Sequence, residues 1–187
     1  KAFIRRICFT GNTAYDDETL QGLMKTSEKG FFSWLTASGD LDPQTLEQDT
    51  VKIAAYYHNH GYIQARVGAP DITYEKDSIF VEIKIEEGPQ FSVGEVDIEG
   101  DLIQPKAELL EELKIRNEQV YNREVVREDL LNLADLYSDS GYAYADISPR
   151  INKDMEAHQA DITYVVDKGP LVYFERIVIT GNTKTRD

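Results

Sequence analysis

Three histidines and a single cysteine are the side chains of this sequence most able to carry chemistry. His58 and His60 are two residues apart in a segment with helical periodicity, so they point in different directions and suit a shared metal ion poorly. His158 falls in a predicted turn. Cys8 alternates with two apolar residues of a strand pattern, where a cysteine is typically a small filler. We predict no metal site and no cofactor.

Carboxylates are abundant, with 34 acidic against 20 basic residues and a net charge of −14. That balance argues against nucleic acid and against an anionic membrane surface as partners, because both attract clustered Lys and Arg. Acidic helix positions such as Glu47 and Asp49 fit a solvated face. No Ser-His-Asp constellation, phosphate-binding loop or His-Glu-x-x-His pair occurs in the sequence, so we predict that it is not an enzyme.

The element that organises the chain is a predicted helix from Asp42 to His60, closed by Gly61-Tyr62. Asp is a good N-cap, Pro43 suits the first helical position, and Gly suits the left-handed residue after a helix. The same pattern returns 80 residues later, which indicates two copies of one module. The predicted apolar stripes of the two helices are Leu46, Thr50, Ile53, Ala54 and Tyr57, and Val126, Leu130, Leu133, Ala134 and Tyr137.

Around each long helix the patterns predict an α+β fold of tandem β-α-α-β-β modules. Gly88-Pro89 and Gly169-Pro170 end the two copies, which gives units at 1–89 and 90–170. Residues 171–187 predict the first strand of a third, truncated unit, so we interpret the chain as a piece of a longer protein. The short linker after the first unit predicts restricted motion between the units.

Counting chain reversals predicts the topology of each module. The first and third strands run parallel and pair, the second lies outside the third, and two helices cover one face of this three-stranded mixed sheet. The outer strand of the first unit then has a free edge that can accept another strand. This candidate binding strand comprises Asp71, Ile72, Thr73, Tyr74 and Glu75. The alternative is an ordinary edge protected by charge and by Pro70; Pro149 is placed similarly in the second unit.

A second candidate contact site is an aromatic loop in the first unit. It contains four large apolar side chains, Phe31, Phe32, Trp34 and Leu35. If exposed, they would mark a partner site. Alternatively, they fold over their own helix ends or pack on the adjacent unit.

Three features resemble the POTRA (polypeptide-transport-associated) domains of the BamA-type outer-membrane β-barrel assembly family. They are the strand that leads into Gly-Asn-Thr, the Tyr-x-x-x-Gly-Tyr at each long helix end, and the closing Glu-Gly-Pro or Lys-Gly-Pro. The resemblance covers essentially the whole chain. The longer first unit, with its aromatic loop, is similar to the third of five such domains, which would make the second unit the fourth.

The resemblance implies a periplasmic arm that precedes a membrane-embedded barrel absent from this fragment. Such arms receive unfolded outer-membrane proteins from periplasmic chaperones and scaffold accessory lipoproteins, without catalysis. Two alternatives stay open. One is that the modules are a passive structural spacer. The other is that they belong to a two-partner secretion transporter, although that type usually carries only two copies.

Overall fold

The structure, a computed structural model, describes residues 2–30 and 39–173. The first module contains β1 (Phe3–Thr10), α1 (Asp17–Leu23), α2 (Pro43–Asn59), β2 (Arg66–Val67), β3 (Asp71–Glu75) and β4 (Ser78–Glu86). The second contains β5 (Ser92–Gly100), α3 (Lys106–Glu111), α4 (Arg123–Asp139), β6 (Asp146–Asp154) and β7 (Gln159–Asp167). A short 3-10 turn, Lys114–Asn117, lies between α3 and α4 and was not predicted. Among the described residues, no helix combines the length and apolar character needed to cross a bilayer.

The two sheets have the predicted α+β topology. In the first module β1 pairs parallel with β4, and β3 pairs antiparallel with the other side of β4. In the second module β5, β7 and β6 repeat that order and those directions. The one departure is β2, a two-residue strand that extends the outer edge along the end of β4, with Gly68–Pro70 separating it from β3.

The long helices begin where their capping residues predict. The Asp42 side chain accepts a hydrogen bond from the Gln44 N–H, and Asn122 caps α4 by accepting from Glu124 and Val125. Each helix buries its apolar stripe against its own sheet, which produces one core per module. The buried stripe residues are Leu46, Ile53 and Tyr57 in α2, and Val126, Leu133 and Tyr137 in α4.

The prediction that Asp49 belongs to a solvated helix face is wrong, whereas Glu47 is exposed as expected. The Asp49 side chain has no exposed surface. Its two carboxylate oxygens accept hydrogen bonds of 2.8 Å from the backbone N–H groups of Lys25 and Thr26, which follow α1. Burial alone would raise the pKa of Asp49, but these hydrogen bonds and the contact with Thr26 lower it below its usual value.

Asp129 repeats this arrangement in the second module. It is also fully buried, and it accepts from the N–H groups of Lys114 (2.8 Å) and Ile115 (3.0 Å) in the segment after α3. A third hydrogen bond, 2.9 Å long, comes from the hydroxyl of Tyr164 on β7. Burial, together with the Asp129 charge, raises the pKa of that hydroxyl. Each buried aspartate therefore ties its long helix to the chain that precedes it.

Candidate functional site: the free edge of the first sheet

The free edge of the first sheet is β3, whose five residues are all exposed. A two-residue turn, Lys76-Asp77, joins it to β4, so Glu75 and Ser78 form the first hydrogen-bonded pair of the hairpin. In an antiparallel ladder such pairs alternate with pairs whose backbone groups point away from the partner. The N–H and C=O groups of Ile72 and Tyr74 therefore point outward, where an additional strand can reach them.

The side chains of the same two residues form an apolar margin beside this edge. Ile72 lies opposite Val81 and Tyr74 opposite Ile79, and both partners on β4 are buried under the helices. Directly opposed residues share one face of a sheet. Ile72 and Tyr74 are nevertheless 36% and 64% exposed. An added strand would bury them while pairing with their backbone.

The opposite edge of this sheet is covered by the chain itself. Along β1, the Ile4 N–H donates to the Gly39 carbonyl (2.7 Å), and the Ile4 carbonyl accepts from the Lys29 N–H (2.8 Å). Further along, the Ile7 N–H donates to the Glu28 carboxylate, and the Ile7 carbonyl accepts from the Gln21 side chain. Within the described residues, β3 has no comparable cover and is the edge that the sheet offers for pairing.

The edge strand of the second module is longer but chemically weaker as a template. β6 pairs with β7 over nine residues, and Pro149 is the fourth of them. A proline in a paired strand supplies no N–H and normally turns its nitrogen toward solvent, which removes an outward donor. The other edge of this sheet is partly covered, since the Val93 N–H donates to the Gln119 carbonyl.

The two charged residues of β3, Asp71 and Glu75, lie at the ends of the strand. Asp71 lies 3.4 Å from Lys84 of β4, and both side chains are largely exposed, so the pair contributes little stability. Glu75 ends the strand beside the turn. The carboxylates of Asp71 and Glu75 share the sheet face opposite Ile72 and Tyr74, so charge does not cover the apolar margin.

The second predicted contact site lies outside the described residues. This applies to Phe31, Phe32, Trp34 and Leu35, whose part in binding stays a prediction. The predicted opening strand of a third unit has only residues 171–173 within the described range.

The rings of His58 and His60 at the end of α2 contact backbone carbonyls, and the His58 ring also contacts an arginine of the second module. The His58 ring contacts the Ala65 carbonyl through Nε2 (3.0 Å) and the Arg123 guanidinium through Nδ1 (3.3 Å). His60 Nδ1 is 2.6 Å from the Tyr56 carbonyl. Across residues 2–30 and 39–173, no group of three or more His, Cys, Asp and Glu side chains is arranged to hold a metal ion.

The joint between the modules is built from directional contacts. The Phe91 N–H donates to the Gly61 carbonyl (2.8 Å), and the Asn59 side chain accepts from the Glu124 N–H at the start of α4 (3.0 Å). Ile63 of the first module packs against the core of the second. The first of these contacts recurs after the second module, where the Val172 N–H donates to the Gly141 carbonyl (2.8 Å).

Comparison with known proteins adds a family to this geometry. The POTRA family, described as a surface antigen variable number repeat, matches residues 2–88 and 91–169. The outer membrane protein assembly factor BamA of Nitratidesulfovibrio vulgaris is 37% identical over 191 residues, covering 100% of this chain and 24% of the relative. BamA of Neisseria meningitidis serogroup B is 35% identical over 189 residues, with the same coverages of 100% and 24%. The chain thus spans about a quarter of the length of these curated relatives.

A solved structure shows the same fold. The crystal structure of POTRA domains 3–5 of Haemophilus influenzae BamA superimposes with a TM-score of 0.76 at 23% sequence identity. The match covers 99% of this chain and 73% of the crystallised one. Which positions in a longer series the two modules occupy stays a prediction.

Proposed function

The chain belongs to the POTRA family, and from that membership we propose that it is part of the periplasmic arm of an outer-membrane protein assembly factor. The proposed role is to bind and scaffold, without catalysis. The clients are unfolded outer-membrane β-barrel proteins, which periplasmic chaperones deliver. Accessory lipoproteins of the assembly machinery dock on the same arm, which a barrel in the full-length protein holds at the outer membrane.

Client binding occurs by strand addition to β3. The observation that carries this proposal is the contrast between the two edges of the first sheet. The β1 edge is closed by the chain's own hydrogen bonds, while Ile72 and Tyr74 at the β3 edge combine outward backbone groups with exposed apolar side chains. Main-chain pairing tolerates many sequences, which suits a receptor for many different barrels.

A proline substitution at the β3 edge, with an alanine substitution as its control, tests this mechanism. Ile72→Pro removes an outward N–H, whereas Ile72→Ala removes the side chain and keeps that N–H. We expect Ile72→Pro to weaken binding of a barrel-strand peptide about three- to tenfold, with the Kd measured by NMR titration, and Ile72→Ala to weaken it less. Thr73→Pro would not test strand addition, because the Thr73 N–H points toward β4 and its loss would disrupt the pairing of β3 with β4.

The outcome that rejects strand addition is equal peptide affinity in Ile72→Pro and the unmodified chain, with both folded. Dispersed amide spectra of the two proteins establish folding. Peptide binding that maps to β6 instead would move the receptor edge to the second module.

The joint favours a second candidate function, a passive spacer. Its backbone hydrogen bond between Phe91 and Gly61 is repeated by Val172 and Gly141, as expected of an arm that sets fixed distances. A spacer binds no client strand, so the titration above separates the two candidates.

A further inference from the structure

A groove of about 450 Å³ lies at the joint between the two modules, on the side of the long helices. The last part of α2 and the beginning of α4 line it, together with one residue before α4 and one of β6. Its lining includes Ala55, Asn59, Tyr121, Val126, Leu130 and Pro149. Pockets at domain boundaries are common ligand sites because two rigid bodies can enclose what neither encloses alone.

The floor of the groove is apolar and anchored in the second core. Tyr121 and Val126 are buried members of that core, and Leu130 is half-buried beside them. On the opposite wall α2 presents Ala55, whose small side chain leaves the space open. The groove is therefore a preformed cleft that a single large apolar side chain of a partner can fill.

The rim is positive within a strongly acidic chain. Arg123 and Arg127 both line the groove, together with Glu124. Glu124 is engaged by Arg127 in a 2.8 Å ion pair. Arg123 has no carboxylate partner among the described residues, and its nearest polar contact is the His58 ring at 3.3 Å. One uncompensated guanidinium thus stands beside an apolar cleft in a protein of net charge −14.

The two arginines of the groove have no counterparts at the equivalent positions of the first module. At the corresponding positions of α2, 80 residues earlier, the sequence has Pro43 and Glu47. Residues 171–173, the described part of the segment after the second module, do not line the groove. The Val172 N–H contacts Gly141 just beyond the far end of α4, and a helix of 17 residues places its two ends about 25 Å apart.

We propose that this groove docks a partner-protein segment in which a large apolar side chain is followed by an Asp or Glu. The apolar side chain fills the cleft over Tyr121 and Leu130. The carboxylate pairs with Arg123, where a planar guanidinium offers two parallel donors. Because the groove contains residues of both modules, the bound segment also stiffens the joint. This site is separate from the β3 edge and stands independently of strand addition.

A peptide titration on the 187-residue chain tests the proposal. The probe is a capped peptide with Trp-Glu-Asp at its centre, and the two comparison peptides carry Trp-Lys-Lys or Ala-Glu-Asp. We expect amide shifts around Arg123 and Leu130 and at Asn59 for the first peptide only. We expect Arg123→Gln to weaken binding about fivefold. Arg5→Gln, which removes an exposed arginine of β1, is the matched control and should leave the Kd unchanged.

A groove-filling variant, Ala55→Trp, should abolish binding while leaving the peptide response of β3 intact. The proposal is overturned if the three peptides bind alike, if Arg123→Gln and Arg5→Gln have equal affinities, or if no shift occurs at 1 mM peptide. A concentration-dependent dimer in analytical ultracentrifugation that Ala55→Trp abolishes would also overturn it, since the occupant would then be a second copy of this chain.

Discussion

Replacing Asp129 with alanine should destabilise the second module far more than its place on a surface helix suggests. The carboxylate accepts three hydrogen bonds, from the N–H groups of Lys114 and Ile115 and from the Tyr164 hydroxyl. Asp129→Ala leaves these three donors without their acceptor inside the protein. An unsatisfied buried donor costs about 1–3 kcal/mol, and partial relaxation brings the expected total to about 3–5 kcal/mol. Tyr164→Phe removes one donor and should cost about 1–2 kcal/mol.

Native-state amide hydrogen exchange is the suitable assay, because two cores can unfold separately and a single melting curve would mix them. Protection of β7 amides should fall roughly 10²- to 4 × 10³-fold in Asp129→Ala, since each 1.4 kcal/mol is a factor of about ten. Protection of β4 amides in the first module should change little. Asp49→Ala should give the mirror image, with the loss confined to β4.

Asp135→Ala is the matched control, because Asp135 is an exposed carboxylate on the same helix and gains the same helix propensity on replacement. It should change stability by less than about 0.5 kcal/mol. The reasoning is refuted if Asp129→Ala behaves like Asp135→Ala, or if its loss of protection is equal in both modules.

Three further predictions concern pH, the joint and the edge. The pKa of Asp49 is lowered in the folded state, so its carboxylate contributes fully to stability above the unfolded-state pKa of about 4, and this contribution is lost as the pH falls through the folded-state pKa. Amide-exchange protection of β4, measured as the pH is lowered, should show this loss. In Asp49→Asn the protection of β4 should not show this pH dependence. Gly61 has φ of +90°, and an added Cβ would lie 2.9 Å from the Phe91 carbonyl oxygen. Gly61→Ala should therefore lower the free energy of unfolding, measured in urea, by about 1–2 kcal/mol. The control Gly22→Ala, which places its Cβ in open space, should be neutral or stabilising. Tyr74→Ser should lower barrel-peptide affinity about two- to fivefold in the NMR titration by removing apolar area from the margin; an unchanged affinity would place the bound strand away from that margin.

The sequence predicted the architecture because its signals are local and occur twice. The caps at Asp42 and Asn122 and the glycine stops fix both long helices, and reversal counting then leaves one sensible strand order. The same reasoning located the edge strand. It did not reveal that Ile72 and Tyr74 carry the outward backbone groups, although the two-residue turn at Lys76-Asp77 contains that information once the pairing register is known.

The placement of Asp49 was misjudged for a physical reason, and the burial of Asp129 was not predicted. Periodicity assigns a charged residue to the solvent face, and Asp49 and Asp129 override it because each is satisfied by N–H groups from a distant segment. Their shared register, 80 residues apart and adjacent to each apolar stripe, was the available signal. The groove at the joint was not predictable, since its walls come from residues far apart in the chain, such as Ala55 and Leu130.

Amide exchange at β3 with and without a barrel-strand peptide tests the central claim most directly. In the free protein, the Thr73 amide should already be protected by the ladder, while those of Ile72 and Tyr74 exchange freely. At saturating peptide, strand addition predicts that the Ile72 and Tyr74 amides gain protection together and that Thr73 changes little. Unaltered exchange of Ile72 and Tyr74 at about 1 mM peptide, a concentration that detects even weak binding, would contradict the client-receptor account and leave the spacer.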